Sequence, residues 1–121
     1  MGTLTTLSVR DALDGLQKKS FSSRELTEAY LQQIETHEPE IHAFITQTPE
    51  LALKRADDAD RLLQQDNHDT PVLNGLPLAV KDVLCMEGAP CTCGSKILED
   101  FYPPFNATTV QRLLDAGVVP L

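Results

Sequence analysis

The chain has no tryptophan, and its few phenylalanines and tyrosines make up only 5% of 121 residues. None of these rings interleaves with basic residues, so no platform for stacking bases is written here. Positive charge is also scarce. Ten lysines and arginines stand against 18 acidic residues, a net charge of −8, and only Lys18-Lys19 and Lys54-Arg55 are adjacent. That argues against a nucleic-acid face, and the acidic excess mainly favours solubility. No apolar run is long enough to cross a membrane, and the first residues lack the apolar stretch of a secretory signal. Three cysteines, an odd number without such a signal, point to reduced thiols in a cytoplasmic protein.

Missing motifs remove further chemistries. The six glycines are spread singly, so there is no Gly-x-x-x-x-Gly-Lys phosphate loop, and no Gly-x-Ser-x-Gly nucleophile elbow occurs. A serine-histidine-aspartate triad assembled in space stays open, because triads are not read from sequence order. Cys85, Cys91 and Cys93 lack a second cysteine pair, and His37, His42 and His68 stand at no ligand spacing, so no metal set is expected. No base partner for a nucleophilic cysteine is visible, and the thiols read as small buried or half-buried groups. Asp57, Asp58 and Asp60 read as a solvated helix face.

What is present is 41% apolar content, ordinary for one small globular domain. Ser8 is placed to cap a first helix, with Asp11 three residues on and Val9, Ala12, Leu13 and Leu16 as its apolar stripe. Ser22 and Glu25 form a capping box for a second helix, with Phe21 stapled onto Leu26. Leu26, Tyr30 and Ile34 share a face of it, and Pro39 is expected to stop it, giving a helical hairpin over residues 1–40. Residues 41–46 alternate like a short strand. Pro49 then opens a third helix at its first position. Ala52, Ala56, Ala59 and Leu63 line one face, small enough to pack closely on a sheet, and Asp57 can pair with Arg61.

Residues 78–83 follow a Gly75-Leu76-Pro77 lead and read as a strand with apolar residues on both faces. Residues 87–95 read as a loop. Asn106 caps a fourth helix, Phe105 staples to Val110, Gly117 ends it, and residues 118–121 begin another strand. Helices alternating with strands imply an α/β architecture, with residues 41–121 as the start of its core.

One residue conflicts with that pattern. Lys81 sits in a strand that otherwise reads as buried, and a buried cation needs a reason. Desolvation favours the neutral amine, and a neutral amine is a usable base. Bringing a lysine from about 10.4 to near 7 costs roughly 4–5 kcal/mol, supplied by burial and neighbours.

The run Gly75-Leu76-Pro77-Leu78-Ala79-Val80-Lys81-Asp82, followed by Cys91-Thr92-Cys93-Gly94-Ser95-Lys96-Ile97-Leu98 and Pro103-Pro104-Phe105-Asn106-Ala107-Thr108, resembles the amidase signature family. The resemblance covers nearly the whole chain and is strongest over residues 75–117. It implies the N-terminal part of a single amidase domain, with a mixed central sheet between helices. It implies a serine, a second serine in a cis peptide, and a lysine that accepts the bridging serine's proton. Lys81 stands at the family's lysine as general base. Asp82 stands at the acidic residue after it, in a supporting role. The two serines belong to a Gly/Ser-rich segment that these 121 residues do not contain, so the isolated chain is expected to be inactive. No metal site is implied.

Within the family, residues 91–98 and 101–108 are similar to the A subunits of glutamyl-tRNA(Gln) amidotransferases. Gly94 stands where alanine is common and Asn106 where aspartate is common. That branch implies glutamine hydrolysis to ammonia, B and C subunits as partners, Glu-tRNA(Gln) reached through the complex, and ATP and Mg used by the partner rather than by this chain. Two alternatives stand beside it: a general amidase, and a short scaffold or interaction module without catalysis.

Overall fold

A computed structural model describes residues 3–65 and 69–121. After a short 3-10 turn at Leu4–Thr6 come α1 (Val9–Gln17), α2 (Ser23–Ile41) and α3 (Pro49–Gln64). The strand β1 (Pro77–Leu78), a long irregular segment, α4 (Thr108–Asp115) and β2 (Val119–Pro120) complete it. His68 lies outside the described residues.

The starts of α1 and α2 form as their caps predict. Ser8 Oγ accepts the Asp11 N–H at 3.2 Å. Ser22 Oγ accepts the Glu25 N–H at 3.0 Å, and the Glu25 carboxylate accepts the Ser22 N–H at 2.7 Å. Phe21, the residue expected to staple, packs against the buried cluster of Ala12, Leu16 and Leu26. Val9, expected in the same stripe, is exposed instead.

α2 runs through Pro39 and ends later than expected, at Ile41. Proline removes one N–H and crowds the preceding turn, but only one further turn depends on it. His42 takes the left-handed conformation, its N–H donates to the Glu38 carbonyl at 2.9 Å, and the Glu38 carboxylate accepts the Phe44 N–H at 2.8 Å. Residues 41–46 are therefore not a strand. Ile41 and Ile45 are both 65% exposed, so the alternating pattern has no face to bury.

α2 packs most extensively on α3. The alanine face of α3 lies on the sheet, as its size predicts: Ala52 and Ala56 contact Val119 of β2. The Asp57 carboxylate does not pair with Arg61 as expected; only the Asp57 carbonyl accepts from Arg61 Nε, at 3.4 Å. Arg24 Nη1 of α2 donates to both Asp57 oxygens at 2.8 Å, and Arg61 turns to the Asp58 carboxylate at 2.5 Å. Asp60, read as solvated, caps α2 from outside, accepting the Ser23 and Arg24 N–H groups at 2.7 and 3.0 Å.

The sheet is one parallel pair, Pro77 beside Val119 and Leu78 beside Pro120. Val119 N donates to Leu76 O at 2.8 Å and Leu121 N to Leu78 O at 3.0 Å. The strand expected over residues 78–83 is thus confined to Pro77–Leu78. Gly117 follows α4 as predicted, but the start of α4 differs. Its N-cap is Ala107, without a side-chain cap. Asn106 instead accepts the Glu87 N–H at 2.7 Å and donates to Gln111 at 2.8 Å. A loop N–H claims the amide that would have capped the helix. Phe105 is exposed and does not staple; Val110 packs on Met86 and Ala89. No helix among the described residues is long and apolar enough to cross a membrane.

Candidate functional site

β1 delivers the chain to a cavity of about 600 Å³. One wall is residues 79–84, leaving the sheet. Phe44, Ile45 and Thr46 form another, and Leu121, Met86 and Gly94 contribute to the lining.

Lys81 lines this cavity, but it is not inside a buried strand. Val80 is half-buried, Ala79 and Lys81 are exposed, Asp82 is exposed over part of its surface, and Val83 is 51% exposed. The segment that leaves the sheet therefore keeps one side open. The Lys81 carbonyl accepts the Leu84 N–H at 2.9 Å, which turns the chain directly after the lysine.

Asp82 reaches the loop that folds against that turn. Its Oδ1 accepts the Thr92 N–H at 2.9 Å, and its Oδ2 accepts the Thr92 hydroxyl at 2.5 Å and the Gly94 N–H at 3.2 Å. Its carbonyl accepts the Cys93 N–H at 3.3 Å and the Cys91 thiol at 3.2 Å. Burial by itself pushes this carboxyl up, but the Thr92 hydroxyl and the Thr92 and Gly94 N–H groups outweigh it and hold it below its ordinary value. The carboxylate is then ionised at neutral pH.

The cysteines lie against the same turn. Cys85 and Cys91 have their sulfurs 3.9 Å apart, Cys91 is buried, and Cys93 is exposed. Burial, then the neighbouring Cys85, pushes the Cys91 thiol up to about 11. Such a thiol is a poor nucleophile at neutral pH. Among the described residues, no group of three His, Cys, Asp or Glu side chains is arranged to hold a metal ion.

The structure thus brings Lys81 and Asp82 to one cavity and adds residues that pattern reading did not single out. Residues 44–46 line it because α2 ends late and the chain turns at His42. Thr92 carries no signal as an isolated threonine; its only cue is its place in the run after Cys91.

The family model for amidases, described simply as Amidase, matches residues 25–121. The chain belongs to the amidase family. Among amidase-family relatives, the A subunit of the glutamyl-tRNA(Gln) amidotransferase of Hahella chejuensis is 47% identical over 114 residues, 94% of this chain and 23% of that protein. Its namesake from Acinetobacter baumannii strain AYE is 45% identical over all 121 residues, 24% of its length. The peptide amidase of Stenotrophomonas maltophilia, a solved structure, is 34% identical with a TM-score of 0.87, over 96% of this chain and 24% of that one. The chain has the amidase-signature fold over the portion it covers, about a quarter of the length of the relatives it matches.

Proposed function

We propose that these residues form the lysine-bearing N-terminal part of the glutaminase subunit of a glutamyl-tRNA(Gln) amidotransferase. The observation that carries the reading is Lys81, exposed at a cavity and followed by an anchored Asp82, in a chain 45–47% identical to subunits of that name. In this reading Lys81 is the general base. It accepts the proton of a bridging serine, which activates a second serine to attack the side-chain amide of glutamine. An acyl-enzyme forms and ammonia leaves. Both serines lie in sequence beyond these residues.

The ammonia passes to a partner subunit, which uses ATP and Mg to amidate glutamate carried on tRNA(Gln). The net charge of −8 fits a subunit that leaves tRNA binding to its partners. The likeness to the peptide amidase supports a second reading, an amidase acting on other amides.

The test is made in the full-length protein with its partner subunits. Lys81→Ala should lower glutamine hydrolysis by several orders of magnitude, because members of a catalytic set act as a unit. Lys81→Arg should be nearly as damaging, since a guanidinium does not deprotonate. Free ammonia should still support Gln-tRNA(Gln) formation. Wild-type glutamine turnover by Lys81→Arg removes the general-base role, and turnover of peptide amides but not glutamine favours the second reading.

A further inference from the structure

Lys81 stands beyond the end of the sheet. The last ladder bond is from Leu121 N to Leu78 O, three residues before it. A base must be held within a fraction of an ångström of its partner, because a displacement near 1 Å can cost about a hundredfold in rate. Something other than the sheet must supply that precision.

Asp82 is the anchor available. Its carboxylate and its carbonyl together receive the Thr92 N–H, the Thr92 hydroxyl, the Gly94 N–H, the Cys93 N–H and the Cys91 thiol. Thr92 is 7% exposed, and its hydroxyl also accepts the Gly94 N–H at 3.1 Å. Cys93 and Gly94 both have positive φ, +51 and +67, and this double left-handed turn accompanies the return of the Gly94 N–H to the carboxylate. An ionised carboxylate offers about four acceptor positions, and three side-chain contacts are already made. Little capacity remains for Asp82 to move protons itself.

We propose that Asp82 and Thr92 form a clamp that ties the Lys81 turn to residues 91–94, making both positioning residues for the base. The inference rests on the reading of Lys81 given above. It extends that reading to Thr92 and gives Asp82 a specific task. Thr92→Val keeps the shape and removes the hydroxyl. Asp82 Oδ2 then keeps only the long bond from Gly94, and the lysine turn loosens. Thr92→Ser restores the donor. Asp82→Asn presents an amide to the Thr92 N–H and hydroxyl and replaces one acceptor with a donor.

The experiment is steady-state glutamine hydrolysis by the full-length protein with its partner subunits, followed across pH. Thr92→Val is expected to lower kcat by about ten- to a hundredfold with KM within about twofold. The pH at which activity falls on the acid side should move in Thr92→Val and return in Thr92→Ser. Asp82→Asn with Thr92→Val should lose little more than Asp82→Asn alone, because the two act through one contact. If Thr92→Val does not fold, Thr92→Ala against Thr92→Ser makes the same comparison. A wild type without amide hydrolysis, or full activity in Lys81→Ala, overturns the Lys81 reading and the clamp with it. An inactive Lys81→Ala beside a Thr92→Val of unchanged kcat and pH profile overturns the clamp alone.

Discussion

Gly75 opens the segment that leads to Lys81, and replacing it with alanine tests how that segment is seated. Its φ is +81, and a methyl there would stand 2.8 Å from Ser23 Cβ and 2.9 Å from Ser23 Oγ. Ser23 is fully buried at the start of α2, and its hydroxyl donates to the Gly75 carbonyl at 2.9 Å. Two costs follow. The left-handed conformation with a Cβ costs about 1–2 kcal/mol. The added methyl also pushes α2 and this segment apart, and a buried Ser23 hydroxyl left without its acceptor costs about 1–3 kcal/mol. Gly88 provides the control: its φ is +89, yet nothing lies within 4 Å of a methyl built there. Gly88→Ala should therefore cost only the backbone share, about 1–2 kcal/mol, and Gly75→Ala about 2–5 kcal/mol. Urea denaturation of both variants beside the wild type, with slopes compared, reads the difference directly. Equal losses in the two variants would refute the reasoning, since they would show that Ser23 and Gly75 do not depend on each other.

Asp60→Ala should destabilise by about 1 kcal/mol, the cost of losing a helix cap, whereas Asp58→Ala, which removes only an exposed pair with Arg61, should change stability little; chemical denaturation distinguishes them. Native alkylation at a pH of about 8, followed by mass spectrometry, should modify exposed Cys93 first and buried Cys91 last; Cys91 modified as fast as Cys93 would contradict the burial of its thiol. The thiol of Cys91 is raised in the folded state, so its contribution to stability is whole below 9.0 and is lost as pH rises through about 11. Cys91→Ala should flatten the alkaline limb of a stability–pH curve.

What could be read from the chain lies within one or two helical turns. Ser22 and Glu25 are three residues apart, and their reciprocal bonds form wherever α2 starts. Pro49 begins α3 with no N–H to satisfy. The alanines of α3 recur on one face, and that face meets β2 because small side chains allow close approach. The run around Lys81 was legible for a different reason: it matches a family pattern, and the amidase family model covers it.

Contacts between distant residues were not legible. Asp57 had Arg61 four residues away but pairs with Arg24, 33 residues away, because packing of α2 on α3 brings that guanidinium closer. Residues 41–46 had the alternation of a strand, but the end of α2 consumed the first of them and the Glu38 carboxylate claimed the Phe44 N–H. Lys81 sat in a run that read as buried on both sides, while in the fold it is exposed at the cavity. Periodicity reports which side chains share a face; it does not report what covers that face. The sequence alone determined the starts of α1, α2 and α3, the close-packing face of α3 and the identity of the lysine segment, because each depends on neighbours in the chain. Only the tertiary structure decided that residues 44–46 wall the cavity and that Thr92 holds Asp82, because those contacts exist only once separate segments have closed on one another.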